Sequence, residues 1–248
     1  MDFCNPFFLD DKKILITGAS SGIGRAIAIA CSKMGAIVYL NGRNLDRLEK
    51  TKKQLEGNGH LIVAGDLTIP EEVNNFVDVL PLLDGVVHCA GIGFRKICKQ
   101  ILPEEVDFVM ASNFAAPVNL QSILLSKKKL NKGASIVFIS SIAPFVSSVG
   151  NSLYGASKGA ILAYSNCLAL ELAPRKIRVN SICPGMVWTD LISTGGLVED
   201  DFLLDEQKYP LKRYGTPEDV ANAAIFFLSN ASTWITGTSL KVAGGLIS

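Results

Sequence analysis

Histidine is scarce in this chain: of 248 residues only His60 and His88 are histidines. Six cysteines are present, Cys4, Cys31, Cys89, Cys98, Cys167 and Cys183, but no two form a C-x-x-C pair. Neither a zinc site nor a dithiol redox motif is therefore expected, and the chemistry has to be sought without a metal. Charge of one sign is also missing. A net charge of +1 gives no electrostatic footprint for nucleic acid or for a membrane surface. The one basic run, Lys127-Lys128-Lys129, reads as the solvated end of a helix. No apolar run reaches about 18 residues, so no transmembrane helix is expected. Residues 1–11 lack the basic start and apolar core of a secretory signal. Thiols placed in apolar runs fit a reducing, cytoplasmic setting. Internal repeats, low-complexity tracts and interdomain linkers are absent as well, which leaves a single domain over residues 1–248.

What the sequence has is apolar material in short blocks. Hydrophobic residues make up 48% and charged residues 19%, which suits a sheet covered on both faces. Strands are expected at residues 13–17, 37–41, 60–64, 85–89, 135–139, 178–183 and 239–243. Helical patterns lie between them at 22–34, 45–55, 71–80, 104–130, 154–173 and 217–229. Gly35 stops the first helix, and Thr68 and Thr216 precede prolines as caps for the third and the last. Strand–helix alternation with right-handed crossovers gives an α/β fold: a Rossmann-type, doubly wound, parallel seven-stranded sheet. The stretch 189–216 has no clear period and is a candidate lid.

The first strand runs into Thr17-Gly18-Ala19-Ser20-Ser21-Gly22-Ile23-Gly24, which opens the first helix. Glycines there permit a tight turn and close backbone approach, and the helix N-terminus favours a pyrophosphate. The same residues contain G-x-S-x-G at Gly18–Gly22, the nucleophile elbow of hydrolases. A hydrolase would need a histidine partner for Ser20, and His60 and His88 both fall in or beside strands.

Tyr154 and Lys158 are four apart at the start of a helix, on one face. An ammonium beside a phenol stabilises the phenolate, which suits Tyr154 to acid–base work near neutral pH. Ser140-Ser141 closes a strand thirteen residues upstream of Tyr154, and Asn113 lies in an earlier helix. Together these motifs make the chain resemble the short-chain dehydrogenase/reductase family in its single-domain form, from about Asp11 to Leu246. Thr17–Gly24 is similar to the family's TGxxxGIG turn, and Asp66-Leu67 to its adenine-contacting pair. Ala90-Gly91 matches the end of the NNAG motif, with His88 and Cys89 standing where two asparagines are usual. Asn113, Ser141, Tyr154 and Lys158 match the catalytic tetrad. Pro184, Gly185, Val187 and Thr189 fall in the segment that meets the nicotinamide carboxamide, and Ala243 replaces a common aspartate.

The resemblance implies hydride transfer between a nicotinamide and a carbonyl or alcohol. It makes Tyr154 the proton donor or acceptor and Ser141 the group that holds the substrate oxygen. Lys158 would bind the ribose, and Asn113 would hold a relay water. Cofactor contacts are expected from Gly18, Ser20, Ser21, Gly22, Ile23, Gly24, Arg43, Asp66, Leu67, Ala90 and Gly91. Residues 209–221 are similar to 3-oxoacyl-[acyl-carrier-protein] reductases, and Lys132 and Arg175 fall where those enzymes meet their acidic carrier. A 3-oxoacyl thioester is thus the expected substrate, with a sugar, steroid or other small ketone as the alternative. A non-catalytic NADP-binding sensor is the rival of another class. NADP(H) is expected over NAD(H), because Gly42 stands where an NAD-type site places its carboxylate and Arg43 follows it. Family members commonly pair the two long helices across a two-fold axis, and the apolar residues Ile161, Leu162, Ala163, Tyr164, Leu168 and Leu172 suit that role, so a homotetramer is expected, with a dimer as the alternative.

Overall fold

The computed structural model describes residues 5–189 and 204–246. Seven strands, β1 Lys13–Ile16, β2 Ile37–Leu40, β3 Leu61–Ile62, β4 Leu83–His88, β5 Leu130–Ile139, β6 Arg178–Pro184 and β7 Ser239–Val242, form one sheet in the order β3-β2-β1-β4-β5-β6-β7. Every pairing is parallel. Among the described residues the main helices are α1 Gly22–Lys33, α2 Leu45–Lys52, α3 Pro70–Val79, α4 Pro103–Met110, α5 Ala116–Ser126, α6 Ser152–Leu172 and α7 Pro217–Leu228.

Strand side chains alternate between two cores with period two. Ile14, Ile16, Val87, Val137 and Ile139 pack with Ile27, Cys31, Val220 and Phe227 of α1 and α7. Leu15, Val86, Ile136 and Phe138 face the other way, onto Phe76, Leu120, Ile161 and Leu168 of α3, α5 and α6. The chain leaves β1 toward β2 and returns to β4 on β1's other side. That reversal opens a crevice at the C-terminal ends of β1 and β4, where ligands of such sheets bind.

Several elements differ from expectation for identifiable reasons. The third strand is only two residues long, and it starts after His60, whose ring Nδ1 in place of a backbone carbonyl accepts from the Val38 amide at 3.1 Å. Thr68 does not cap α3. Ile69 is the N-cap, and the Thr68 hydroxyl donates to Asp66 Oδ1 at 2.7 Å. Thr216 does cap α7, in a reciprocal box with Asp219. The expected helix 104–130 is α4, a π-turn over Ala111–Ala115, and α5. It stops at Ser126, and β5 begins at Leu130 rather than Ser135.

The basic run lies in the connection and is not merely solvated. Lys127 Nζ pairs with Asp78 at 2.6 Å, and Lys129 Nζ donates to the carbonyls of Asp78 and Leu80. These cations satisfy the open C-terminal end of α3. The continuous helix Pro103–Ser126 has the length and hydropathy of a membrane span. It carries Glu104, Glu105 and Asp107 and buries Val109, Leu120 and Leu124 against the sheet, as a core helix does.

Candidate active site

The glycine turn sits at the crevice as its sequence requires. Gly18 has φ +66°, and a Cβ there would lie 3.0 Å from the Ala90 backbone. A Cβ on Gly24 would overlap the Gly18 carbonyl oxygen. The turn therefore leaves its backbone open to a ligand only because side chains are missing. Arg25 holds it from below, with Nη2 donating to the Ser20 carbonyl and Nε to Thr51 Oγ1 at 3.2 Å. Thr189 closes against it, since a Cβ on Gly22 would come within 3.2 Å of Thr189 Cγ2. The Pro184–Thr189 segment and the glycine turn are thus neighbours. Gly185 packs on Ala243 and Tyr209, and buried Val187 bridges to Gly215. Of the candidate lid, residues 190–203 lie outside those described.

At the far end of the crevice Arg43 and Asp66 come together, Nη1 to Oδ2 at 3.6 Å. Burial raises the Asp66 pKa, but two Thr68 donors and Arg43 outweigh it and hold the carboxyl below its ordinary range. Leu67 beside it is buried. The Arg43 side chain is 73% exposed, so the pair contributes little to stability and the guanidinium is free to turn to another anion. Asp46 lies in the first turn of α2, as expected. A side chain at Gly42 would meet Leu48 and Ser20 only at ordinary contact distances, 3.4 and 3.6 Å. Sterics do not impose glycine there; the missing side chain leaves room beside Ser20.

Between these ends runs the strip Cys89-Ala90-Gly91-Ile92. Thr17 Oγ1 accepts from both the Cys89 and Ala90 amides at 3.0 Å. Asn113, buried in the π-turn, grips the other side: Oδ1 accepts from Ile92 N at 2.8 Å and Nδ2 donates to Ile92 O at 3.0 Å. Asn113 Nδ2 also donates to Ser157 Oγ, whose hydroxyl donates to the Tyr154 carbonyl. Lys158 is buried, and its Nζ donates to Ile139 O at 3.0 Å and lies 5.9 Å from the Tyr154 ring centre. A Cβ on Gly91 would stand 3.0 Å from Asn113 Oδ1 and 3.3 Å from Lys158 Nζ. Ser140 Oγ fastens the Lys158 carbonyl at 2.9 Å, and Ser141 Oγ accepts from Ala143 N. The four expected tetrad positions thus come from three segments, the π-turn (Asn113), the end of β5 (Ser141) and the first turns of α6 (Tyr154 and Lys158), with Asn113 and Lys158 meeting at Gly91. Ser140 and Ser157 hold these positions, while Thr17 holds the strip and Arg25 the glycine turn; Arg25 and Ser157 carry no signal in the sequence. The Ser140-Ser141 doublet was the one available signal.

Neither histidine serves Ser20. His60 bonds Val38 and Glu56, and His88 lies beneath the strip with Nε2 3.0 Å from Gln121 Oε1. The hydrolase alternative therefore has no base. Among the described residues no cluster of metal-ligating side chains occurs.

Lys132 and Arg175 are not near this crevice. Lys132 lies at the start of β5, nine residues from Ser141, or roughly 30 Å along an extended strand. The Arg175 guanidinium is engaged by the Leu130 carbonyl at 2.6 Å.

The sequence profile described as enoyl-(acyl carrier protein) reductase matches residues 18–247. The chain is 36% identical over 239 residues to a 3-oxoacyl-[acyl-carrier-protein] reductase of Rickettsia felis, covering 96% of this chain and 98% of that one. It is 34% identical over 241 residues to L-xylulose reductase of Caenorhabditis elegans, covering 95% of each. A putative gluconate dehydrogenase of Agrobacterium tumefaciens superposes with a TM-score of 0.92 at 26% identity, over 99% of both chains. The chain belongs to the short-chain dehydrogenase/reductase family and is an oxidoreductase of that class.

Burial holds folded His88 to a pKa of about 4, against 6.5 for an ordinary histidine. As pH falls the unfolded chain takes the proton first, so the stability of neutral His88 is complete above about 6.5 and lost toward about 4. The loss amounts to about 3 kcal/mol. Denaturant unfolding across this window should show a shallower decline for His88→Phe than for wild type. Equal slopes would mean that His88 is not the group taking the proton.

Proposed function

We propose that the protein interconverts a carbonyl and a secondary alcohol with NADP(H), residues 1–248 forming a single NADP-binding domain. The observation that carries this reading is that Asn113 and Lys158 meet at Gly91, with the Tyr154 ring beside Lys158, at the end of the crevice that begins with the open glycine turn; Ser141 follows the end of β5, whose Ile139 carbonyl holds Lys158. The glycine turn, Ser20, Ser21, Ile23 and Thr189 would hold the pyrophosphate and nicotinamide ends, and Asp66 and Leu67 the adenine. The nicotinamide, when bound, supplies or accepts the hydride. Tyr154 gives a proton to the substrate oxygen in reduction and takes it back in oxidation. Ser141 donates to the same oxygen and fixes its place. Lys158, with one N–H spent on Ile139, keeps two for the ribose. Asn113, besides gripping Ile92, positions the relay that returns a proton to Tyr154.

The substrate we favour is a 3-oxoacyl thioester, supported by the reductases named above and by the similarity of residues 209–221. A polyol, sugar or sugar-acid ketone is the second reading, supported by the L-xylulose reductase and gluconate dehydrogenase likenesses. If an acyl-carrier protein presents the substrate, Lys132 and Arg175 would serve a neighbouring subunit's crevice rather than their own. The free state of the described cysteines supports a cytoplasmic location.

The surface that would build a homotetramer lies on other residues than the apolar face of α6. Ile161, Leu162, Leu168 and Leu172 are inside the monomer, whereas Phe108 and Leu170 on α4 and α6 are 59% and 79% exposed. We infer that these cover each other between subunits. Light scattering should give four times the chain mass at micromolar concentration; a monomer would refute the assembly.

Acetoacetyl-CoA should be reduced at a measurable rate, and Tyr154→Phe should lower turnover about 10²-fold or more while NADPH still binds. Lys158→Met should impair both. Activity on sugars but not on the thioester would reject the substrate and keep the reaction; a Tyr154→Phe enzyme as fast as wild type would reject the mechanism.

Arg43→Ala should lower kcat/KM for NADPH roughly 10- to 150-fold, the scale of one lost charge-assisted contact, and leave that for NADH nearly unchanged. Equal losses with both cofactors would remove Arg43 from phosphate recognition.

A further inference from the structure

His88 is the least expected residue in the catalytic neighbourhood, and nothing in the mechanism uses it. Its imidazole is 3% exposed and stacks on Phe138 of β5, ring centres 4.5 Å apart at 9°. Nε2 meets Gln121 Oε1 at 3.0 Å, while His88 Nδ1 and Gln121 Nε2 have no partner. Leaving two buried polar atoms unpaired is costly, and such a cost inside a working site points to a use. Two more observations locate that use. His88 immediately precedes the strip 89–92. The gap it borders, too narrow to admit a water, is also lined by Asn113, Ile139, Lys158 and Ile161.

The helix on the other side completes the geometry. Asn113 and Gln121 belong to the same continuous helix, eight residues apart. On a regular α-helix that spacing leaves them roughly 80° apart around the axis. The π-turn Ala111–Ala115 winds more slowly and brings them nearer one face. Both side chains then reach the same short segment, Asn113 at Ile92 and Gln121 at His88. The helix and the strip are joined by two rungs, one at each end.

We propose that the His88–Gln121 pair is a positioning element for catalysis: the second rung sets the π-turn, and through it Asn113 and the Lys158 pocket. His88 touches no substrate; it acts through Gln121 and Phe138. Because the gap is too narrow to hold even a water, a displaced imidazole presses on its neighbours. The proposal rests on the oxidoreductase reading above.

The double variant His88→Phe/Gln121→Met keeps the stack on Phe138 and removes both unpaired atoms with their partners. If the pair only packs, the variant should melt at or above the wild-type temperature and turn over normally, because replacing both partners by apolar groups is close to neutral. We expect retained melting temperature with kcat lowered about tenfold, as for a small misplacement of catalytic groups, and KM for NADPH within about twofold. Hydrogen exchange at the Ile92 amide should quicken, because its acceptor is Asn113 Oδ1. Should the double variant fold poorly, Gln121→Met alone should show the same split at smaller amplitude. A folded variant with unchanged kcat and unchanged Ile92 protection would overturn the proposal. If the wild-type protein turned over no substrate, the functional reading would fail separately, and Ile92 exchange alone would decide this one: quickened exchange supports the second rung, unchanged exchange rejects it.

Discussion

Four residues, Cys89 to Ile92, have to follow one path between two clamps, and the rest of the site depends on that path. Thr17 Oγ1 holds the Cys89 and Ala90 amides from β1. The Asn113 amide holds both polar groups of Ile92 from the helix. Gly18 approaches Ala90 on one side, and Asn113 and Lys158 approach Gly91 on the other. A shift of the strip by even half an ångström would collide with the glycine turn or open the lysine pocket. Interiors packed to this density do not deform smoothly.

On the proposed reading, this arrangement places binding and chemistry in one crevice. The anion-accepting turn, built from backbone N–H groups, is held at one edge of the strip. The buried ammonium and its phenol are held at the other. Charge is distributed in the same economical way. Lys158 sits buried where the reacting atoms would come, and Arg43 sits exposed at the far end, where a side chain absent from Gly42 leaves space. His88 remains neutral at ordinary pH because burial lowers its pKa, so no second cation competes beneath the strip.

Much of the fold was legible in the sequence because the parallel sheet imposes it locally. Each strand is a short apolar block, and each crossover carries its own glycine, proline or cap. The placement of the proposed tetrad positions was legible as spacing: Tyr154 and Lys158 four apart on one helix, and Ser141 at the end of a strand. What stayed hidden depends on contacts distant in sequence. Nothing local marks Thr17 as a clamp for residues 89 and 90, or Gln121 as the partner of His88. The π-turn was invisible because helix and π-helix share one composition. The third strand begins later than its sequence suggests because a histidine ring, not a backbone group, takes the Val38 amide. The lysine run was read as solvated because its acceptors, the carbonyls of Asp78 and Leu80, lie about fifty residues away. The surface expected from Ile161 and Leu168 proved internal, since α6 packs on the sheet along the face that carries them.

The central claim is that the clamped strip is the floor of a dinucleotide site. Calorimetric titration of NADPH into wild type, Thr17→Ser and Thr17→Val tests it most directly. Valine keeps the shape of threonine but leaves the Cys89 and Ala90 amides without their acceptor; serine keeps the acceptor. The account predicts one site per chain in wild type and in Thr17→Ser. In a folded Thr17→Val it predicts binding weaker by about tenfold or more, the equivalent of about 1.4 kcal/mol. Undiminished binding by Thr17→Val, or no NADPH binding by wild type, would contradict it.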